Sequence, residues 1–181
     1  CEIIIILEYH SDKLAPSLVL EMKQALLRAA EGAYERNVRP SYTNIAIMSA
    51  LLMEYVGINM NRPAIRDAGI MMAWSVFLLL NQYQTFSEYN SPTYYGVNML
   101  AIAMWREFGP NAEMRAMGSE MEYKLWREIG EFYHAGFKNL VGPYFRGYGM
   151  DMKEYVAITG MWIALAIDDL VRAPIPSSGY T

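Results

Sequence analysis

The stretch FSEYNSPTYYGVNM, Phe86 to Met99, holds an acid, two amides, four aromatic rings, a Ser-Pro pair and a glycine in fourteen residues. Its chemically useful side chains are Glu88, Tyr89, Asn90, Tyr94 and Tyr95. A second group, His134, Arg146, Tyr148 and Asp151, lies in YHAGFKNLVGPYFRGYGMD, and Asn44 ends a third short stretch, RPSYTN. These residue types suit carbohydrate, because tyrosine rings cover the apolar C–H face of a sugar while Asn, Glu and Arg take its hydroxyls. In a glycosidase, Glu88 and Asp151 would be the acid and the base or nucleophile, with their separation deciding between retention and inversion. A tyrosine removes a proton only where its surroundings lower the phenol from about 10 toward working pH, and Arg146 is a cation that could do so.

Each residue also has a plainer use. Ser91-Pro92 is a good helix N-cap followed by proline at the first helical position, and Asp151 with Glu154 fits a capping box. Thr43 or Asn44 would cap another helix in the same way. Glu88 and Arg146 would neutralise each other as an interior ion pair, and His134 at the end of a long helix is a favourable C-terminal cation. Capping leaves Glu88, Tyr89, Asn90, Tyr94 and Tyr95 unexplained as a set.

Other chemistries lack their signatures. With two histidines, one cysteine and no HExxH spacing, no metal site and no intrachain disulfide are expected. There is no GxSxG elbow, GxxxxGK[ST] phosphate loop or GxGxxG turn, so no cofactor is expected either. The net charge of -4 and fifteen scattered Lys and Arg lack the basic stripe that nucleic acid requires. The longest apolar runs, Ala68 to Leu80 and Val156 to Ile167, fall short of the ~20 residues of a membrane span, so none is expected. The opening CEIIIILEYH has no basic n-region or cleavage site and reads as the edge of something longer. Cysteine usage leaves the compartment open.

The elements that would position these residues emerge from a repeat. Tyr95-Gly96-Val97-Asn98-Met99 has a near copy in Tyr148-Gly149-Met150-Asp151-Met152, and 148 − 95 = 53. The same step back reaches Tyr42, at the head of another apolar segment. Ser17 to Arg36 alternates apolar and charged faces as an outer helix does, whereas Asn44 to Tyr55 is apolar almost all round and must be covered. Two further pairs follow, Ala64 to Gln82 with Pro92 to Phe108, and Ala112 to His134 with Met152 to Val171. The reading is a single all-α domain, 1–181, of three antiparallel helical hairpins near 17–57, 64–109 and 112–171. Alternating outer and inner helices at this period produce an (α/α) toroid or a solenoid, and three hairpins make an incomplete arc. The apolar ends, Ile3 to Leu7 and the last helix, then call for self-association or for missing flanking hairpins. The three connections into the inner helices, Arg36 to Asn44, Tyr83 to Tyr95 and Tyr133 to Asp151, should meet at one rim.

EYNSPTYYGVNMLAIAMW and, further on, YHAGFKNLVGPYFRGYGMDM resemble segments of poorly characterised fungal and bacterial (α/α) toroid proteins, related in architecture to six-hairpin glycosidases and toroid polysaccharide lyases. The resemblance spans roughly residues 41 to 165. It implies an oligosaccharide or polysaccharide partner. Similarity to the lyases implies β-elimination on a uronic-acid-containing glycan: Asn90 and Arg146 neutralise the uronate, Tyr94, Tyr95 or Tyr148 acts as base or acid, and His134 assists. Asn44, Tyr89 and Tyr94 complete the binding surface. The alternative is a glycoside hydrolase using Glu88 and Asp151. A third reading, from another class, is a non-catalytic helical-repeat module for binding or assembly.

Overall fold

Prolines and left-handed residues set the helix boundaries. A computed structural model of the chain describes residues 2–146, 149–154, 158–169 and 171–174. Helix α1 (Glu2–His10) passes through a 3-10 turn (Ser11–Lys13) into α2 (Pro16–Arg36). Then come α3 (Thr43–Asn59), α4 (Pro63–Tyr83), α5 (Pro92–Phe108) and α6 (Ala112–Phe132). Helices α2, α4 and α5 each open on a proline, whose missing N–H is unneeded in a first turn. Helices α2 and α4 stop at Asn37 (φ 41°) and Gln84 (φ 58°), both left-handed. A two-residue antiparallel ladder, β1 (Tyr133–His134) with β2 (Asn139–Leu140), precedes α7 (Ile158–Ile167). The fold is all-α apart from this ladder among the described residues.

Helices α2, α4 and α6 are each 21 residues long, and α3 and α5 are each 17. The structural step from α3 to α5 is 92 − 43 = 49 residues, not the 53 of the tyrosine match. Tyr42 precedes α3 and is 41% exposed, while Tyr95 lies inside α5 and is fully buried. Ser91, the residue before α5, is the true counterpart of Tyr42. Tyr148, the third member of the series, lies outside the described residues.

Helices α3 and α5 pack on each other; α2 and α4 flank the first, α6 and α7 the second. This explains the composition of α3, whose buried positions (Ala46, Ile47, Ala50, Leu51, Met53, Val56) run round the whole helix. Amphipathic α2 buries only Leu26 and Ala30. The closest pairs are α3 with α4 and α5 with α6, one helix out of step with the expected pairing of α4 with α5. Trp105 is fully buried and its Nε1–H donates to the Ile47 carbonyl at 2.9 Å, tying α5 to α3. At the amino end, Ile4 and Leu7 are buried against the core, so α1 has cover that its sequence did not reveal.

Glycines permit the closest approach. A methyl group added to Gly57 would lie 2.4 Å from the Arg66 backbone nitrogen, and one on Gly69 would lie 2.5 Å from that of Glu54. Helices α3 and α4 therefore meet backbone to backbone. Helix α4 is long and apolar enough, by length and composition, to cross a membrane; here the seam with α3 holds it in the bundle.

Beside that seam sits Glu54, 1% exposed, whose carboxylate accepts from the Asn111 side chain. Asn111 also caps α6, its Oδ1 accepting from the Met114 N–H at 2.7 Å. Burial, reinforced by the Glu113 charge, pushes Glu54 from 4.5 up to about 7. A raised acid stabilises the fold fully below its ordinary value, and that contribution is lost as pH rises through about 7. Glu54→Gln keeps the acceptor for Asn111 and should flatten the fall in stability between 4.5 and about 7, measured by denaturant unfolding at several pH values. Slopes equal to wild type would contradict this. Gly57→Ala and Gly69→Ala should each cost about 1–3 kcal/mol through overpacking. Gly32→Ala, with nothing within 4 Å of the added methyl, should instead stabilise by up to ~1 kcal/mol.

Candidate functional site

Helices α2, α4 and α6 end where α3 and α5 begin, so the connections 37–42, 84–91 and the segment after α6 lie at one end of the bundle. The middle connection links the other two. Glu88, 3% exposed, accepts the Asn44 backbone N–H at the start of α3 and the Asn98 side-chain amide from α5, both at 3.2 Å on Oε2. A carboxylate there offsets the positive amino end of α3. Burial pushes its pKa up, while the two hydrogen bonds and the Arg146 charge pull it back.

Asn90 is fully buried and left-handed (φ 45°), a conformation that asparagine tolerates better than most residues. Its Nδ2 donates to the carbonyls of Val141 (2.8 Å) and Pro143 (3.2 Å), stitching the middle connection to the third. The Phe145 N–H donates to the Tyr89 carbonyl at 3.0 Å and adds a second stitch. Arg146, exposed, donates from Nη1 to the Tyr94 hydroxyl at 3.1 Å, with its guanidinium 5.4 Å from the centre of that ring. The Tyr94 N–H donates to Ser91 Oγ at 3.3 Å, so Ser91 is the expected N-cap. The side-chain oxygens of Asn90 and Asn98 are buried without a hydrogen-bond partner among the described residues.

A second acid lies beneath Tyr95. Its hydroxyl donates to Glu128 Oε1 at 2.7 Å and accepts the Asn90 backbone N–H at 2.6 Å. Thr85 Oγ1 donates to the same Glu128 oxygen at 2.6 Å. Burial raises the Tyr95 phenol, and the Glu128 charge raises it further. Glu128 is also raised, by burial first, against the pull of the Thr85 and Tyr95 hydroxyls.

The structure thus gathers Asn44, Glu88, Asn90, Tyr89, Tyr94, Tyr95 and Arg146 at one end of the fold. Several expected site residues, inside and outside that set, are engaged in other contacts. Tyr95 is no proton acceptor, because its hydroxyl is sealed in the core and its phenol is raised rather than lowered. The Asn90 amide is spent on backbone carbonyls. Asn44 contributes its N–H to Glu88 and turns its own Oδ1 back on the Ile45 N–H at 2.8 Å. His134 is exposed on the ladder; its Nδ1 accepts the Phe137 N–H at 3.2 Å and its ring packs 4.5 Å from that of Phe137. Asp151 closes a turn, its Oδ1 accepting the Lys153 N–H at 2.9 Å and its carbonyl the Glu154 N–H at 3.1 Å. Tyr148 lies outside the described residues.

Sequence reasoning missed Glu128 and Thr85. A signal existed for Glu128: Met114, Met117, Met121, Leu125 and Ile129 form the buried stripe of α6, and an acid three residues after Leu125 falls on its edge. Among the described residues no group of three His, Cys, Asp or Glu is placed to hold a metal ion.

The model of the family Domain of unknown function (DUF8769) matches residues 1–180, and the chain belongs to that family. No curated protein and no solved structure matches the chain.

Tyr95→Phe would leave the buried Asn90 N–H without an acceptor and remove a donor from Glu128. We expect it to lower unfolding free energy by about 1–3 kcal/mol, checked by denaturant titration. A neutral effect would show that the hydroxyl does not organise the site.

Proposed function

We propose that the chain forms an incomplete arc of an (α/α) toroid whose rim acts on a uronic-acid-containing polysaccharide by β-elimination. The observation that carries this reading is the Arg146–Tyr94 pair: a guanidinium and a phenol 3.1 Å apart, at the end of the bundle where the three connections meet. Arg146 neutralises the sugar carboxylate and makes the C5 proton acidic. Tyr94 Oη, acting as the phenolate, takes that proton and becomes the phenol, the electron pair forms the C4=C5 bond, and the C4–O bond breaks. The departing oxygen then takes a proton back from the same phenol. Tyr89 supplies an aromatic face for the neighbouring sugar. Glu88 and Asn90 act by position, holding the three connections together.

Hydrolysis by Glu88 and Asp151 fits less well, since Glu88 is 3% exposed and Asp151 serves a turn. A binding or assembly module without catalysis is favoured by one feature, the exposed row Met71, Trp74 and Leu78 on α4, spaced as one helical stripe. Self-association or a polysaccharide partner would each engage the chain under these readings.

Tyr94→Phe should lower turnover on a uronate polymer by about 10²–10⁴-fold with little change in binding, the range for a lost general acid or base. Arg146→Ala should weaken both. Unsaturated-product absorbance and reducing-end release are read in parallel. Reducing ends without the unsaturated product would replace elimination by hydrolysis, and neither signal over a panel of uronans would leave the non-catalytic module.

A further inference from the structure

Thr85, Tyr89 and Glu128 line a cleft of about 310 Å³. Its floor is Glu128, 8% exposed. Oε1 of that residue takes both internal hydrogen bonds, from Thr85 and Tyr95. Oε2 has no partner among the described residues, and it is not one of the sealed, unpartnered atoms. A buried acid with one oxygen held by the fold and the other open to a cleft presents a fixed hydrogen-bonding position to whatever enters the cleft.

The walls narrow the class of ligand. Lys124, one turn before Glu128 on α6, donates to Asn81 and Glu120, and Arg127, beside Glu128 in sequence, pairs at the surface with Glu131, the second acid of the cleft, at 3.5 Å. On the opposite wall the Tyr89 ring is fixed edge-on to Phe132, with centroids 5.5 Å apart and planes at 85°. An aromatic face and a hydrogen-bonding carboxyl at depth match the C–H face and a ring hydroxyl of a sugar residue, and the exposed Arg127 can exchange its surface pair with Glu131 for the carboxylate of a uronate. Tyr89 belongs to both places, since its carbonyl holds Phe145, the neighbour of Arg146.

We propose that the Glu128 cleft is a second sugar-binding subsite, which takes a uronate residue of the same chain that reacts at Tyr94 and Arg146. This rests on the β-elimination reading for the identity of the glycan, while the subsite itself rests on the cleft geometry. The Tyr89 connection forms the ridge between the two positions, so a short oligomer fills one of them and a longer one fills both. Affinity then rises with length through effective concentration rather than through new contacts at the reacting sugar.

The test uses galacturonate oligomers of two to eight residues, with neutral oligosaccharides of equal length as controls. Binding is measured by calorimetry and by amide shifts on the labelled chain. Wild type should gain at least tenfold in affinity from the shortest to the longest oligouronate. Glu128→Gln, which preserves the volume, and Arg127→Ala should each abolish that gain, so that the longest oligomer binds no more tightly than the shortest. Thermal unfolding of both variants is followed, and Arg127→Ala, at an exposed site, keeps the test alive should Glu128→Gln fail to fold. Shifts confined to Tyr94 and Arg146, with the length dependence intact in both variants, would overturn the subsite and leave the elimination reading standing. Shifts confined to Thr85, Tyr89 and Glu128 would keep the subsite and overturn the chemistry placed at Arg146. No binding by any oligouronate overturns both.

Discussion

The rim exists because a carboxylate is buried under the amino end of α3. Glu88 gains the free Asn44 N–H there and the Asn98 amide from α5, and this offsets the cost of taking an acid out of water. Two consequences follow. The connection carrying Glu88 cannot lift from the bundle without exposing an uncapped helix end and stranding the buried Asn98 amide. Because that connection is pinned, Asn90 and Tyr89 are held where they can fasten the segment after α6. Half-buried Tyr94 and exposed Arg146 sit on top of this lashing, and the geometry of the pair is inherited from the groups beneath it.

Beneath the rim, the bundle is rigid for a different reason. Gly57 and Gly69 bring α3 and α4 into backbone contact, and a methyl on Gly96 in α5 would lie 2.4 Å from the Thr159 backbone nitrogen in α7. Seams this tight leave little freedom for one helix to slide on another, since packed interiors transmit rather than absorb small displacements. The two ends of the molecule then differ in character. One end carries Glu54 and the Asn111 cap, the other carries Glu88 and Glu128; all three acids lie in burial that favours their neutral forms.

How much of this was legible in the sequence differs between levels. Helix type and helix burial were clear, because the all-round apolarity of Asn44 to Tyr55 and the charged face of Ser17 to Arg36 report burial directly. The convergence of the three connections also followed from alternating helices. The repeat register did not, because matched tyrosines are a side-chain similarity, and Tyr42 and Tyr95 occupy different places on their helices. Nor did the division of labour among Glu88, Asn90 and Tyr95. Residue type suggests a polar site, but whether an amide faces solvent or a backbone carbonyl depends on chain segments remote in sequence: Val141 and Pro143 for Asn90, Glu128 for Tyr95. His134 was misplaced for the same reason, since the turn to Phe137 that occupies its ring forms only once the ladder closes. Glu54 and Glu128 stood in plain view as acids on apolar stripes.

Glu88 makes three connections behave as one unit, and native-state amide hydrogen exchange reads that coupling out. The N–H groups of Asn44, Asn90 and Phe145 should exchange together in wild type, through one common opening, as contiguous cooperative units do. In Glu88→Ala all three should lose protection by a similar factor, while the Trp105 backbone amide in the core of α5 stays protected relative to them. If Asn44 alone loses protection and Asn90 and Phe145 exchange as before, the connections are independent loops and the account of the rim is wrong.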